Sequence, residues 1–372
     1  MNVLYVYKDY FPVLGGIENH VKYLAEGLAA RGASVTVLVT NTGSKTVIEE
    51  QDGVQIIKAG RLGSISSAPV SADLFRWIGR QRPDIAHLHF PYPVGEMAYL
   101  LRGRGRKLVV TYHSDIVRQK RLLLLYNPFL TKLLAQADAI SISNPSYTRN
   151  SPYVRPWASK AVVIHHGQML ERFVPTEKSQ SCAAQIRAAH GNAPLVLFVG
   201  QLRYYKGVET LINALADVAP PARALIVGRG PMQARWQLLA LAGGLSERVC
   251  FVGPVADEDL PAYYQAAQLF VLPSTQRSET WGAVQIEAMA SGLPCICTEL
   301  GTGTTYVNLH RVTGLVVPPR DPQALAGAIN ELLASEALRA QLGAAARGRA
   351  WREFTHTAMV DQTQQLYQRL LA

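Results

Sequence analysis

Two glutamates eight residues apart, Glu279 and Glu287, mark the segment SETWGAVQIEAMASG. The first follows the apolar run LFVL, and the second lies inside an apolar helical run. If the helix begins near Trp281 and Gly282, the two carboxylates lie about 12 Å apart along it. Because that distance prevents them from sharing a proton, we expect them to hold two parts of one extended ligand. The alternative is a capping acid followed by a solvated helix residue, which the apolar neighbours of Glu287 disfavour.

Two cations and two glycines follow predicted strands at points where a ligand could bind. Arg203 and Lys206 come after LFVG, and a planar donor fork beside a point charge suits a diphosphate. The alternative is a pair of solvated surface charges. Gly15 and Gly16 open a predicted helix, where backbone N–H groups can approach an anion. A tight loop is the alternative reading of that glycine pair.

Histidines also lie near predicted strand ends. His113 directly follows VVTY, which favours contact with a ligand, although a buried core histidine is the alternative. His87 and His89 alternate along DIAHLHF and therefore point to one face. A metal site would need a third ligand that the sequence does not indicate, so a structural or substrate contact is favoured. Asp257-Glu258-Asp259 matches a D-x-D metal signature but is interpreted as helix capping.

The elements that position these residues alternate between strand and helix in both halves of the chain. This pattern is typical of doubly wound parallel sheets. We predict an N-terminal domain over 1–168, a linker over 169–193 and a C-terminal domain over 194–354, with a final amphipathic helix over 355–372. Ligands in such sheets bind beyond the carboxyl ends of the strands, so a cleft between the domains is expected.

Composition restricts the setting rather than the fold. The chain has 372 residues, four scattered cysteines and a formal net charge of +10. No apolar run is long enough to span a membrane, and MNVLYVYKDYFP reads as a first strand rather than a signal peptide. We therefore expect reduced thiols in a cytoplasmic protein. The positive charge leaves nucleic acid, anionic lipid and phosphorylated ligands open as partners.

A cluster of cations and leucines in the first half predicts a basic, amphipathic face. Leu122–Leu125 and Tyr126 are expected to be exposed beside it, which suits an anionic membrane surface that carries a lipid-linked acceptor. The alternative is that the leucines are core and the charges merely solvated. The cations of the cluster are Arg102, Arg104, Arg106, Lys107, Arg118, Lys120 and Arg121.

In their order along the chain, these motifs resemble the retaining glycosyltransferase family 4, most of all bacterial members that build lipopolysaccharide or other surface polysaccharide. The resemblance covers essentially the whole chain. It implies a GT-B fold, an α/β architecture of two tandem Rossmann-like domains facing across a cleft, with the C-terminal helix returning to the first. The motifs that carry it are Gly15-Gly16, His113, Arg203 with Lys206-Gly207, Glu279-x7-Glu287, AMASGLP, TGLVVPPRDPQALAGAI and IHHGQMLERF.

The resemblance also implies roles for the residues. Arg203 and Lys206 are expected to bind the diphosphate and neutralise its leaving-group charge. Glu279 and His113 are expected to contact the donor sugar, and Glu287 the ribose. The expected catalytic residues are His113, Arg203, Lys206 and Glu279. The expected donor-binding residues are Gly15, Gly16, Arg203, Lys206, Glu279, Gly282, Ala283, Val284 and Glu287.

The implied activity is transfer of a hexose, with mannose as the first guess, from a nucleotide-diphosphate sugar to a saccharide or lipid-linked acceptor. Retention without a metal or cofactor is expected, and GDP-mannose and a UDP-sugar both stay open as donors. The alternatives are a nucleotide-sugar epimerase of the same architecture and a non-catalytic binding protein. Nucleic acid is not expected, because no aromatic–basic motif accompanies the charge. The chain departs from the family pattern at LGTGTTYVNLHRVTGL and at His165-His166-Gly167.

Overall fold

The computed structural model describes residues 1–13, 15–65, 68–116 and 120–372, without the side chains of Ile65 and residues 120–123. The chain divides into two compact units. The first consists of Met1–Gly167 with His356–Ala372, and the second of Gln168–Thr355.

The first unit carries ten described strands and the second carries six. In chain order the strands are β1 (Asn2–Val6), β2 (Ser34–Thr40), β3 (Val47–Gln51), β4 (Val54–Ala59), β5 (Gly63–Ile65), β6 (Ala68–Val70), β7 (Ile85–Phe90), β8 (Lys107–Tyr112), β9 (Ala139–Ile142), β10 (Ala161–Val163), β11 (Leu195–Val199), β12 (Arg223–Val227), β13 (Val249–Gly253), β14 (Leu269–Leu272), β15 (Cys295–Thr298) and β16 (Gly314–Val317).

Helices connect most of these strands. In chain order they are α1 (Gly16–Ala29), α2 (Ala72–Arg80), α3 (Pro93–Arg102), α4 (Lys120–Gln136), α5 (Tyr147–Asn150), α6 (Glu177–Ala189), α7 (Val208–Ala214), α8 (Gln233–Ala242), α9 (Leu260–Ala266), α10 (Ala283–Ala290), α11 (Thr304–Val307), α12 (Pro322–Ala334), α13 (Glu336–Glu353) and α14 (His356–Leu371). Among the described residues, no helix is long and apolar enough to cross a membrane.

The first unit is built on an eight-stranded sheet in the order β10-β9-β8-β7-β1-β2-β4-β3. Its strands pair in parallel, except that β3 runs antiparallel to β4 at the edge. The central strands are buried along their length, as the apolar runs NVLYVY and KLVVTY predict. The edge strand VIEEQ and the small β5–β6 hairpin were not predicted, because a short polar strand gives little periodic signal.

The C-terminal helix α14 packs in the first unit against α1, which confirms the expected return. Met359, Val360 and Tyr367 of this helix are buried in the first unit's core. The close approach requires Gly27 on α1, since a Cβ there would lie 2.5 Å from a methyl carbon of Val360. The Val360 side chain therefore packs directly against the α1 backbone at Gly27.

The second unit is built on a six-stranded, fully parallel sheet in the order β13-β12-β11-β14-β15-β16. β11 and β14 are neighbours at its centre, so the loops that follow them meet at one edge of the sheet. Cys295 and Cys297 alternate along β15 as buried free thiols, as predicted. The doubly wound α/β fold expected for both halves is thus confirmed.

The segment expected to be a linker, 169–193, is ordered in the second unit. It contains a 3-10 turn (Glu171–Phe173) and helix α6. A reciprocal capping box between Thr176 and Ser179 starts that helix, which explains why a polar stretch is helical here. The linker prediction missed it because the apolar spacing of α6 is weak.

Candidate functional site

A buried ion pair lies beyond the carboxyl ends of β11 and β14 in the second unit. The Lys206 ammonium lies 2.5 Å from Oε2 of Glu279, and the Ser274 hydroxyl donates a hydrogen bond to the same oxygen at 3.0 Å. Both charged residues are less than a tenth exposed. The structure therefore joins two predicted site residues that the sequence assigned to different parts of a ligand.

Gly207 explains the Lys-Gly spacing at this loop. Its φ is +66°, and a Cβ there would lie 2.0 Å from the carbonyl oxygen of Pro273. Only glycine lets the chain turn against the β14 loop at this point. The turn holds Lys206 inward, beside Glu279, whereas Arg203 on the same loop is exposed. The two cations predicted as one diphosphate clamp thus occupy different environments.

Glu287 lies on α10 and is held through both of its carboxylate oxygens. Arg172 donates to Oε1 at 3.1 Å, and the Tyr264 hydroxyl donates to Oε2 at 2.9 Å. Burial raises the pKa of Glu287, and Arg172 partly opposes that rise. The interpretation of Glu287 as a solvated helix residue is therefore wrong. Sequence reasoning missed Arg172 and Tyr264, although Arg172 belongs to the hinge-like motif IHHGQMLERF.

Helix α10 begins one residue after the predicted start. Gly282 caps it with φ +71°, and a Cβ there would lie 2.7 Å from the side-chain Nε2 of Gln285. The first N–H groups of a helix have no partner within it, so those of Ala283 and Val284 are available at the helix start. Glu279 lies in the preceding loop, as predicted.

The divergent segment LGTGTT contacts the same loop. The Thr302 hydroxyl donates to the carbonyl oxygen of Glu279 at 2.8 Å, and the Gly303 N–H donates to that of Thr280 at 2.8 Å. These bonds fix the backbone that carries Glu279. The departure from the family pattern therefore lies beside the ion pair rather than in a remote surface loop.

The Gly15-Gly16 loop opens α1 in the first unit, as predicted. A Cβ on Gly15 would lie 2.2 Å from a carboxylate oxygen of Glu18, which itself lies 3.7 Å from the Lys8 ammonium. A carboxylate packed against the Gly15 backbone would repel a phosphate bound at this loop. Glu18 was missed because the glycine pair alone suggested an anion site.

Histidines come together at the carboxyl ends of β7 and β8. Nε2 of His113 lies 3.0 Å from Nδ1 of His89, and Nδ1 of His113 lies 3.2 Å from Nε2 of His166. His20, on α1, packs edge-on against His89 and His113. Ring nitrogens of His20, His89 and His113 lie within 4.8 Å of one another. The nitrogens that meet are therefore those of His20, His89 and His113, and the predicted pair of His87 with His89 does not form the group.

His87 has a structural environment instead. Its ring nitrogens contact the hydroxyls of Tyr367 and Thr111, the latter at 2.6 Å. Tyr367 in turn contacts the Tyr5 hydroxyl at 3.0 Å. Burial lowers the pKa of His87 to about 3. The network ties α14 to the central sheet and leaves His87 without a role at a ligand.

Burial also keeps the other histidines neutral. It lowers the pKa of His20, His89 and His113 well below the usual range, with neighbouring imidazoles adding to the effect. Burial and then His165 lower the pKa of His166 to about 4. A cluster of neutral rings can donate, accept or ligate, but it does not present positive charge to a phosphate.

The predicted basic face is described only in part. Leu124 and Leu125 on α4 are 77% and 75% exposed, so the prediction of exposed leucines is confirmed there, whereas Tyr126 is buried. Tyr126 turns inward because it packs in the core of the first unit. Arg118 lies outside the described residues, and so do the side chains of Lys120, Arg121, Leu122 and Leu123.

A groove of about 670 Å³ lies between α2 and α3 on the same unit. Its lining includes four arginines and Leu101, which is largely exposed. Among the residues that line it there is no carboxylate. The arginines are Arg76, Arg80, Arg102 and Arg104.

The D-x-D match does not form a metal site in the structure. Asp259 occupies the N-cap position of α9 but makes no capping hydrogen bond, and Asp257 lies 3.6 Å from Arg172. The predicted side-chain cap is therefore absent at Asp259, and the Asp257 carboxylate pairs with Arg172 instead. The segment VGRGP begins at Val227, the last residue of β12, and its Gly228 is required by packing, since a Cβ there would lie 2.0 Å from the carbonyl oxygen of Gly200.

Comparison with known proteins identifies the family of this chain. The family model "Glycosyltransferase Family 4" matches residues 14–172, and "Glycosyl transferases group 1" matches residues 183–349. The chain is 37% identical to the O-antigen chain mannosyltransferase C of Escherichia coli, over all of this chain and 99% of that protein. The chain belongs to glycosyltransferase family 4. It is therefore a transferase enzyme, as predicted.

Other relatives agree with this membership. The chain is 35% identical to the D-rhamnosyltransferase WbpZ of Pseudomonas aeruginosa, covering 95% of this chain and 92% of that protein. The structure superposes on sucrose-phosphate synthase from Thermosynechococcus elongatus with a TM-score of 0.75 at 26% identity, covering 99% and 98% of the two chains. HepE of Anabaena, solved in complex with UDP, gives a TM-score of 0.79 at 21% identity and shares the fold, over 99% of this chain and all of that one. The predicted GT-B class is confirmed.

Proposed function

We propose that the protein transfers a hexose from a nucleotide-diphosphate sugar, with retention and without a metal, to a saccharide or lipid-linked acceptor of a bacterial surface polysaccharide. The observation that carries the proposal is the buried Lys206–Glu279 pair beside the start of α10. The names of the mannosyltransferase and rhamnosyltransferase relatives support the sugar and the setting.

The diphosphate is assigned to the second unit. Lys206 supplies a buried charge, exposed Arg203 adds a donor fork, and the N–H groups of Gly282, Ala283 and Val284 lie at the helix start. These groups stabilise negative charge that develops on the leaving phosphate. Lys206 is held inward by Glu279, whose Oε2 also accepts a hydrogen bond from the Ser274 hydroxyl, so the charge is positioned before the donor arrives.

Glu287 is assigned to the ribose. Its two oxygens each accept one hydrogen bond, from Arg172 and Tyr264, and a carboxylate has about four acceptor positions. Two positions therefore stay available for a pair of hydroxyl donors. Arg172 favours the charged form, which is the stronger acceptor.

Retention is assigned to a front-face reaction. The bond from the anomeric carbon to the diphosphate breaks, and the acceptor oxygen bonds to that carbon on the same face. The acceptor proton passes to an oxygen of the leaving phosphate. Glu279 is not assigned as a nucleophile, because one of its oxygens is taken by both Lys206 and Ser274. His113 and the Gly15-Gly16 loop keep the roles that the family resemblance implies as predictions.

Product analysis with EDTA present tests the reaction. The protein is incubated with an acceptor saccharide and either GDP-mannose or a UDP-sugar, and the anomeric configuration of the product is read by NMR. We expect the donor's configuration to be retained and the rate to be unaffected by EDTA. An inverted product or an EDTA-sensitive rate would overturn the mechanism. A changed donor sugar formed without acceptor would identify an epimerase instead.

We further propose that the first unit docks on anionic lipid. Exposed Leu124, Leu125 and Phe129 on α4 adjoin α3, which carries part of the arginine groove. Apolar side chains beside arginines, with no carboxylate among the described residues that line the groove, suit a lipid surface. Co-sedimentation with phosphatidylglycerol vesicles, compared with phosphatidylcholine vesicles, tests it. We expect Leu124→Glu with Leu125→Glu to abolish sedimentation, while Leu238→Glu with Leu241→Glu, an exposed pair on α8, leaves it unchanged.

A further inference from the structure

Three histidine rings of the first unit form a hydrogen-bonded row. Nδ1 of His89 lies 3.0 Å from Nε2 of His113, and Nδ1 of His113 lies 3.2 Å from Nε2 of His166. His89 and His113 are buried, whereas His166 is half-buried. The row therefore runs from the core at His89 to a more accessible ring at His166. Its middle member is His113, for which the family resemblance implies a contact with the donor sugar.

Two protonation patterns allow this row to make both of its hydrogen bonds. The rings are neutral, since burial lowers the pKa of each below its ordinary value. A neutral imidazole carries one proton, so one ring nitrogen donates a hydrogen bond and the other accepts one. In the first pattern every ring is protonated on Nδ1, and the bonds point from His89 to His166. In the second pattern every ring is protonated on Nε2, and the bonds point the opposite way.

The inner end of the row distinguishes the two patterns. Nε2 of His89 is fully enclosed, and no described atom makes a hydrogen bond to it. The rings of Tyr5, Tyr7 and His20 pack around His89. A proton on Nε2 would leave a buried N–H group without an acceptor, which proteins tolerate less often than an unused acceptor. His89 is therefore protonated on Nδ1, and the bond between the two rings then requires that His113 is protonated on Nδ1 as well.

We propose that His166 is a positioning residue, which accepts a hydrogen bond from Nδ1–H of His113 and thereby fixes the tautomer and ring orientation of that histidine. The protonated nitrogen of an imidazole is set by the hydrogen bond that the other nitrogen makes. Here the protein specifies both, because His89 donates to Nε2 and His166 accepts from Nδ1. His113 thus directs an N–H group, and not a lone pair, to the outer side. The assignment rests on the proposed function only for the sugar contact of His113.

The segment that carries His166 is anchored on both sides. Nδ1–H of His165 donates to the carbonyl oxygen of Ser143 at 2.8 Å. The Gly167 N–H donates to the Sδ atom of Met359, on α14, at 3.2 Å. The loop after β9 and the last helix therefore hold the backbone on either side of His166. A ring on a fixed backbone can keep a hydrogen-bond acceptor in one place, which is what a positioning residue requires.

Side-chain ¹⁵N NMR of the full-length, histidine-labelled protein at neutral pH tests the tautomer. The signals of His113 are identified by their loss in His113→Asn. We expect a protonated, pyrrole-type Nδ1 and a pyridine-type Nε2 in the wild type. His166→Asn, whose side-chain oxygen can accept the same hydrogen bond, should keep this pattern, whereas His166→Leu should shift it. A proton on Nε2 of His113 in the wild type would overturn the proposal, whether or not the protein transfers a sugar.

Initial rates test whether this hydrogen bond matters for transfer. His166→Leu should lower kcat/KM for the donor by about tenfold, as expected for one lost hydrogen bond, and His166→Asn should recover most of it. In a His113→Asn background, His166→Leu should have no further effect, because a positioning residue acts only through the ring that it holds. His310→Gln removes an exposed histidine of the second unit and should leave the rate unchanged.

Thermal unfolding checks the folding of each variant. If His166→Leu does not fold, the NMR spectra of the wild type and of His166→Asn still decide, and they do so equally if no donor is turned over. Equal losses of kcat/KM in folded His166→Asn and His166→Leu would overturn the proposal. A full additional loss in the double variant would do the same, since it would show that His166 acts independently of His113.

Discussion

The two units place buried polar groups beyond the ends of their central strands, but they offset the free-energy cost of burying these groups in opposite ways. The second unit pairs each buried carboxylate with a cation: Glu279 with buried Lys206, and Glu287 with the exposed Arg172. The first unit buries histidines in a neutral form, such as His89 and His113, which contact one another. Charge is therefore kept where a diphosphate is proposed to bind, and excluded from the histidine cluster.

The difference follows from the chemistry of the side chains. Lysine and carboxylate groups stay ionised when a partner compensates their lost hydration, whereas imidazole loses its proton on burial. The second unit is thus prepared to exchange one anionic partner for another. The neutral histidines of the first unit can donate or accept hydrogen bonds, and their burial opposes the addition of a proton.

The largest expected effect comes from removing the buried cation of the second unit. Lys206→Met should lower kcat by about 10²–10³, because the leaving phosphate loses a positioned positive charge. It should also destabilise the protein by about 3–5 kcal/mol, because Glu279 is left as an unpaired buried charge. Initial rates and chemical denaturation measure the two effects.

A double variant separates these effects. Lys206→Met with Glu279→Gln should recover most of the stability but not the rate, since the buried charge is neutralised while the cation is still absent. Lys178→Met, an exposed lysine of the same unit, serves as the control and should change neither quantity. Turnover restored together with stability would show that Lys206 has only a structural role.

A second test concerns the other carboxylate. Glu287→Gln should lower kcat/KM for the donor by about tenfold to a hundredfold, mainly through KM, because hydrogen bonds to a charged acceptor are lost. Varying the donor concentration in an initial-rate assay measures the change. Glu247→Gln replaces an exposed acid of the same unit and should have no effect. A fall confined to kcat would move Glu287 from ribose binding to the reacting centre.

The sequence predicted single residues better than their partners. The sheets follow from apolar runs, and Glu279, Lys206 and His113 follow from their positions after strands. Arg172 and Tyr264 could not be found in this way, because they reach Glu287 from a 3-10 turn and from another helix. Long-range packing determines such contacts, and the spacing of residues along the chain does not indicate them.

The same limit applies to His20. It lies on α1, where its spacing predicts only one more helical residue, and the fold brings it to His89 and His113. The antiparallel edge strand β3 was missed for a related reason, since its pairing with β4 supplies the order that its polar sequence does not. Sequence reasoning therefore missed more features of the first unit than of the second.

A third test uses pH to probe the neutral histidines. Burial lowers the pKa of His87 to about 3, while the unfolded chain titrates near 6.5, so the unfolded state binds more protons between these values. Stability contributed by the neutral ring is present above about pH 6.5 and is lost as pH falls toward 3, by about 1.4 kcal/mol per pH unit for each such histidine.

Denaturation at pH 6.5 and 5.0 measures this slope. His87→Gln should reduce the loss of stability between the two values by about 2 kcal/mol, because one titrating group is removed. His310→Gln replaces an exposed histidine and should leave the slope as it is. An unchanged slope in His87→Gln would mean that the ring is protonated in the folded protein.

The smallest effect is expected where α14 joins the sheet of the first unit. The Tyr367 hydroxyl contacts His87 and the Tyr5 hydroxyl, so Tyr367→Phe leaves these buried groups with fewer partners and should cost about 1–3 kcal/mol. Tyr263→Phe in the second unit, whose hydroxyl makes no described hydrogen bond, should cost less than about 0.5 kcal/mol. Equal losses in the two variants would show that the hydroxyl network contributes nothing specific. A larger loss in Tyr367→Phe would show that hydrogen bonds, and not packing alone, hold the last helix on the first unit. Among the described residues, the histidine cluster of that unit contains no buried ion pair.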